Sequence, residues 1–403
     1  MPTKAFILEH RCDDPLTLAL QAAKHPGVDM AYAIEQISGW QRAREKLPSW
    51  ATCDDIIYPG RLALEQCSSE QTARHKADIC QRLLNQHPPG PTTMADLTGG
   101  MGVDFSFLAP LFSKAFYVER QHQLCQLARH NFQAMGIENA EVLEGDGMLL
   151  VHQLPHLTMA YLDPARRDDK GARTFAIADC TPNILEHLHT LIEKADILML
   201  KLSPMLDWHD TLRSLNNVSL NVVSEMHIVA VNNECKELLV VLSKEHGSDN
   251  AALVCTNDQQ TLTTDTSTEL SACPPSFASD EEARQAKWLY EPNAAIMRAG
   301  CFSTLTRQYD LKAIAPNSHL FIANERKDDF PGRIMRISGI TTMNKRELRQ
   351  ATKDLQKANI TTRNFPLTAN QLRQRLGMAD GGDTYLFGTT TSAGKHAIFI
   401  CNK

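Results

Sequence analysis

Four acidic residues close or follow short apolar runs in this chain: Asp96, Glu119, Asp146 and Asp163. A carboxylate only accepts hydrogen bonds, and it attracts cations. Directly after Asp96 the chain reads Leu97-Thr98-Gly99-Gly100-Met101-Gly102-Val103-Asp104, three glycines within four positions before a new apolar pattern starts. Glycine is required where φ is positive or where a ligand comes close to the backbone. Such a turn joins a buried strand to a helix with a ligand lying against it. Glu119 follows Asp96 by 23 residues, the distance at which an acid on the next strand end accepts both hydrogen bonds of a ribose diol. Asp146, on the third strand end, is placed to accept from an adenine amino group. Together they predict an adenosine compound laid across three successive strand ends.

The elements that must hold these residues are a parallel sheet with covering helices. From 93 onward, short apolar runs alternate with helical patterns: strands over 93–97, 115–118, 140–143, 159–162 and 197–202, and helices over 103–112, 124–135 and 183–192. Two further strands, 226–231 and 238–242, are close enough for a hairpin that adds an antiparallel edge. Residues 1–90 carry apolar residues three and four apart and predict helices, one of them capped by Ser68 or Ser69 and running to about 84. Residues 246–330 predict short strands at 251–254 and near 262, a helix over 281–289 and a strand over 318–322. Residues 331–403 predict a small α+β module: strand 334–337, helix 345–357, strand 360–363, helix 369–376, strands 385–387 and 397–400. The expected domains are therefore 1–90, 91–245, 246–330 and 331–403.

Composition narrows the class. The 43% hydrophobic content supports packed cores, and no apolar run approaches the ~18 residues of a membrane span. Eleven scattered cysteines without a C-x-x-C pair favour reduced thiols and a cytoplasmic setting over a disulfide framework, and no histidine spacing supports a metal site. The net charge of −6 is unevenly spread: residues 331–403 hold twelve Lys/Arg and four acids, +8, which leaves −14 for 1–330. A basic module on an acidic body predicts a polyanionic partner.

The glycine turn departs from G-x-G-x-x-G, so it does not cradle a pyrophosphate on the helix N-terminus. Asp104 stands where that pyrophosphate would lie, and its charge would repel it. Acids at three strand ends suit a ligand with a cationic centre and no phosphates. S-adenosylmethionine has that chemistry, with a sulfonium and an amino group that can pair with Asp96.

With these motifs in hand, residues 96–164 resemble a class I S-adenosylmethionine-dependent methyltransferase. The likeness rests on the Asp96 turn with Gly100 and Gly102, on Glu119, on Asp146 and on Asp163-Pro164. Further segments are similar to the bacterial branch with a THUMP-like C-terminal domain. These are 64–77, 161–168 (Tyr-Leu-Asp-Pro-Ala-Arg-Arg-Asp), 201–207 (Lys-Leu-Ser-Pro-Met-Leu-Asp), Asn364-Phe365-Pro366 and 381–387. The resemblance implies a Rossmann-like α/β fold with an N-terminal helical region and a small α+β C-terminal domain. It also implies an S-adenosylmethionine cofactor and an RNA partner, tRNA or rRNA.

Residues 163–166, Asp-Pro-Ala-Arg, are similar to the Asp/Asn-Pro-Pro-aromatic motif of enzymes that methylate exocyclic base nitrogens, but the aromatic is replaced. Attack through a cysteine, as in C5-uracil methylation, is disfavoured, because 201–204 read Lys-Leu-Ser-Pro; Cys180 is the nearest alternative. The expected roles are therefore as follows. Asp163, with Pro164, orients or deprotonates the acceptor. Asp96, Thr98, Gly99, Gly100, Gly102, Asp104, Glu119 and Asp146 hold the cofactor, with Ser68, Ser69 and Thr72 over its methionine end. Arg166, Arg167, Lys201 and Asp207 contact the acceptor, and Arg346, Arg349 and Arg373 grip RNA. Competing readings are a methyltransferase for a small molecule or protein, and an RNA-binding protein that holds the cofactor without transfer.

Overall fold

The computed structural model describes residues 2–165, 176–244, 247–248 and 250–403. The chain divides into two compact units, one of residues 1–226 with 236–249 and the other of 227–235 with 250–403.

The first unit is built on β1 (Thr93–Asp96), β2 (Lys114–Glu119), β3 (Ala140–Glu144), β4 (Leu157–Leu162) and β5 (Ala195–Leu202), all parallel and ordered β3-β2-β1-β4-β5. Every residue of β4 is buried, as expected for a strand covered on both faces. The order reverses between β1 and β4, so a crevice opens at their carboxyl ends. β6 (Val223–Val231) and β7 (Glu234–Ser243) form the anticipated hairpin, and β7 runs antiparallel to β5. The hairpin turns at Asn232 and Asn233, both with φ near +60° (52° and 61°), a conformation asparagine tolerates. Its tip, 227–235, belongs to the second unit.

Helices precede the sheet as expected. The Glu70–Leu84 helix is capped by Ser69, whose hydroxyl accepts from the Thr72 amide. Its buried face carries Thr72, Ala73, Lys76, Ile79 and Cys80, a lysine among small and apolar residues at helical spacing. The Trp208–Val218 helix was not anticipated. Asp207 caps it through the His209 and Asp210 amides, and Trp208, Leu212 and Leu215 form its buried stripe.

The second unit carries a hairpin, β8 (Ala252–Asn257) with β9 (Gln260–Asp265), and a seven-stranded sheet. The sheet orders β11 (Lys312–Ala313), β12 (Phe321–Ala323), β10 (Trp288–Pro292), β13 (Gly332–Thr342), β16 (His396–Asn402), β15 (Thr384–Thr390) and β14 (Asn359–Arg363). Pairing of β10 with β13 carries the sheet of the C-terminal module into residues 288–323, so the stretch 246–330, expected as an α+β elaboration or a connector, supplies three of the seven strands. The helix expected over 281–289 stops at Gln285, after a Ser279 capping box. Trp288, Leu289 and Tyr290 pair instead with β12 and β13, where bulky aromatic side chains fit the pleated surface better than a helix end. Likewise the 345–357 helix ends at Thr352, and the 318–322 strand begins at Phe321 because Ser318 closes a turn on Ala315. Among the described residues no helix is long and apolar enough to cross a membrane.

Candidate functional site

A cleft of 1370 Å³ opens at the carboxyl ends of β1, β2 and β4 in the first unit. It brings together Asp96, Thr98, Gly99, Gly100, Gly102, Asp104, Glu119, Asp146 and Asp163, with Ser68; Ser69 and Thr72, expected over the methionine end of the cofactor, are not among its lining residues.

The turn after β1 owes its shape to glycine. Gly102 has φ +80°, and a Cβ there would lie 2.8 Å from the Phe132 ring. At Gly99 a Cβ would lie 2.4 Å from the Tyr117 ring, so the backbone packs directly on the aromatic. The Gly100 amide donates to Glu119 Oε2 at 2.9 Å, and the Gln121 amide donates to Glu119 Oε1 at 2.8 Å. Two backbone donors thus fix the glutamate, and each oxygen keeps a lone pair for a ligand hydroxyl. Asp146 Oδ1 accepts from the Met148 amide at 2.8 Å and caps a short helix, while Arg120 lies 4.0 Å from its other oxygen.

Asp96 is buried at the floor. Its Oδ1 accepts from the Thr98 amide at 3.0 Å, and burial, reinforced by the charges of Asp104, Asp163 and Glu119, pushes its carboxyl up to about 8. A carboxyl crowded by three other acids is an environment that a cation relieves. This donor-poor, acid-rich wall fits a sulfonium compound with an ammonium group and does not fit a pyrophosphate.

Asp104 is not a bare charge, and here the expectation from sequence is revised. It is buried, accepts from the Ser68 and Tyr161 hydroxyls at 2.7 and 2.8 Å, and lies 3.1 Å from the Lys76 ammonium and 3.8 Å from that of Lys201. Although burial would raise it, the Lys76 and Lys201 charges and these hydrogen bonds hold its carboxyl below the usual range. Of the N-terminal hydroxyls, Ser69 is a helix cap, and Ser68 faces Asp104.

Asp163 stands at the end of β4 with its side chain 41% exposed; its amide donates to Thr98 Oγ1 at 2.7 Å, and Pro164 is buried behind it. Lys201, expected to line an acceptor pocket, is turned inward and ion-paired with Asp163. Asp207 caps the Trp208–Val218 helix and is not among the residues that line the cleft. Arg166 and Arg167 lie outside the described residues. In the second unit Arg346 and Arg349 are exposed on the Lys345–Thr352 helix, whereas Arg373 is 23% exposed and ion-paired with Asp380. Sequence reasoning missed Lys76, Tyr161 and Glu237 as partners of the site. The signal for Lys76 was its place on an otherwise apolar helix face. Among the described residues no group of His, Cys, Asp or Glu could hold a metal ion.

The strand order, the glycine turn and the acids at successive strand ends define a class I methyltransferase sheet. Comparison with known proteins identifies the family. A protein of Porphyromonas gingivalis W83 classed as a methyltransferase is 32% identical to this chain, covering 100% of it and 97% of its own length, with a TM-score of 0.85. A THUMP domain-like family model matches residues 332–403, and a ferredoxin-like domain model matches 288–331. The chain belongs to this family of S-adenosylmethionine-dependent methyltransferases with a THUMP-like C-terminal domain. An rRNA methylase of Streptococcus thermophilus is 18% identical over 42% of this chain and 94% of its own, with a TM-score of 0.31. TrmK of M. capricolum, in complex with S-adenosylhomocysteine, is 13% identical over 43% and 70%, with a TM-score of 0.32. None of the curated proteins matches the sequence.

Proposed function

We propose that this methyltransferase acts on RNA in the cytoplasm, transferring a methyl group to a base nitrogen, with the basic C-terminal module gripping the RNA. The observation that carries the reading is Asp163, a half-exposed carboxylate at the open end of β4, in the cleft that also holds Asp96 and Glu119. S-adenosylmethionine supplies an electrophilic methyl group on a sulfonium. Glu119 would hold the ribose diol, Asp146 the adenine amino group and Asp96 the ammonium of the amino-acid end, with the turn of Thr98, Gly99, Gly100 and Gly102 lying against it and Asp104 beneath. In-line displacement is chiefly a matter of positioning. Asp163 accepts a hydrogen bond from the amino group of the base and thereby turns the nitrogen lone pair toward the methyl. The target nucleotide must be unstacked for this to happen. A thiolate mechanism gains no support: burial raises the thiol of Cys67, which lines the cleft, and Cys180 is buried and not among its lining residues.

Cofactor affinity should depend on pH through Asp96. Below about 8 this carboxyl holds a proton that a bound ammonium must displace. Affinity for S-adenosylmethionine should therefore rise by up to about tenfold per pH unit between pH 6 and 7.5. The folded chain also keeps a proton that the unfolded chain releases near pH 4, so this group costs stability as pH rises through the same window. Titration calorimetry at several pH values checks it. 5′-Methylthioadenosine, which lacks the ammonium, should show no such slope, and a flat profile for both ligands would overturn the pairing.

The excess of twelve basic over four acidic residues in 331–403 supports the RNA grip. Arg346 and Arg349 are exposed on one helix, whereas Asp380 already engages Arg373. Reversal of Arg346 and Arg349 to glutamate should weaken binding of bulk tRNA and lower the slope of log affinity against log salt by about one per arginine. Adding Arg373→Glu should have the smaller further effect. An unchanged slope, with methyl transfer intact, would favour a small-molecule or protein acceptor.

A further inference from the structure

Lys201 stands next to the end of β5, after the buried Ile197, Leu198, Met199 and Leu200, and its side chain is 8% exposed. Its ammonium bonds Asp163 Oδ2 and lies 3.8 Å from Asp104 Oδ2. Behind it the wholly buried Lys76 joins Asp104, at 3.1 Å, to both oxygens of the buried Glu237, at 2.9 and 2.7 Å. The row Glu237–Lys76–Asp104–Lys201–Asp163 alternates in sign from the interior to the cleft. Its members come from β7, the Glu70–Leu84 helix, the Val103–Leu108 helix, β5 and the end of β4. The Ser68 and Tyr161 hydroxyls pin its middle by donating to Asp104.

We propose that Lys201 is a positioning residue for methyl transfer: it ties down one oxygen of Asp163 and leaves the other, Oδ1, as the single hydrogen-bond acceptor offered to the incoming amino group. The proposal rests on the role given above to Asp163. Among the described residues Oδ1 has no hydrogen-bond partner, whereas Oδ2 is held from below. A carboxylate held in this way orients the donor, and the proton that the amine loses leaves through solvent. Desolvation would lower the proton affinity of Lys201, but the charges of Asp163, Asp104 and Glu237 outweigh it and hold the ammonium above the ordinary lysine range. Lys201, Asp96 and Tyr161 are the titratable groups that interact with Asp163; Asp104 and Glu237 act on Lys201, and Lys76 lies between those two acids. Of these only the two lysines are cations, and only Lys201 touches Asp163.

The test is a double-mutant cycle in the full-length protein, with tritiated methyl donor and two acceptor pools, bulk RNA and an RNA-free small-molecule extract. Lys201→Met should lower kcat about 100-fold, the cost of a misplaced catalytic group, and leave cofactor Kd within about threefold. Lys201→Arg should recover most of the rate. In an Asp163→Ala background the same Lys201→Met change should cost less than about threefold, because Lys201 acts only through Asp163. Equal losses in both backgrounds would overturn the proposal and make Lys201 an independent contact. Transfer to the extract but not to RNA would overturn the RNA reading, and the cycle would then be read on that acceptor. A readout that needs no acceptor is the ¹⁵N ammonium resonance of Lys201. It should be protected from exchange in the wild-type protein and lose protection in Asp163→Ala; an unchanged resonance would overturn the pairing even if neither pool were methylated.

Discussion

Asp163→Ala should lower methyl transfer by about 10³-fold while leaving S-adenosylmethionine affinity within about threefold. The magnitude lies within what orienting a reacting group can supply. The split between rate and affinity follows from position. Asp163 ends β4 and faces the cleft, whereas Asp96, Glu119 and Asp146 end or follow β1, β2 and β3 and are anchored separately by the Thr98, Gly100, Gln121 and Met148 amides. The contact to the cofactor turn survives the substitution, because the Asp163 amide, not its side chain, bonds Thr98 Oγ1. Calorimetry for binding and single-turnover methyl transfer separate the two effects. If rate and affinity fell together, Asp163 would be a cofactor residue. If neither fell, its catalytic role would be lost.

Lys76→Met should destabilise the first unit by about 3–5 kcal/mol, the usual cost of leaving a buried charge without its partner. Lys76 is wholly buried between Glu237 and Asp104, which are themselves almost fully buried. Burial already raises the Glu237 carboxyl even with Lys76 beside it. Without the lysine it would take up a proton more readily, so the penalty should shrink as pH falls from 8 to 6. Adding Glu237→Gln should recover much of the loss, because the row of Asp104, Lys201 and Asp163 then has the same net charge as the intact one. Thermal and urea unfolding of the full-length variants measures this. A loss below about 1 kcal/mol, or a loss independent of pH, would mean that water reaches the pair.

Why some of this could be read from sequence and some could not follows from the range of the interactions. The turn after Asp96 was legible because its chemistry is local: glycines at adjacent positions, and an acid at the end of an apolar run. Glu119 and Asp146 were legible because parallel strands in register bring successive strand ends together. The polarity of Lys76 within an apolar helix face was visible, but its partner is 161 positions away and could only be found in space. Asp104 was misjudged for the same reason. Its sequence neighbours suggested a free negative charge, and its spatial neighbours are two lysines. In the second unit, Trp288-Leu289-Tyr290 read as the end of a helix because the charged run before it is helical. Pairing with β12 and β13, which lie more than thirty residues later, decides its conformation. The basic character of 331–403 was legible, but the Arg373–Asp380 pair that removes one arginine from the surface was not.

The most direct test of the central claim is mass spectrometry of RNA nucleosides. Purified protein and isotope-labelled S-adenosylmethionine would be incubated with RNA from cells that lack the gene. One labelled nucleoside should form, methylated on a base nitrogen, that is missing from those cells before incubation and does not form with Asp163→Ala. Label that stays out of RNA, or that enters it equally with Asp163→Ala, would contradict it.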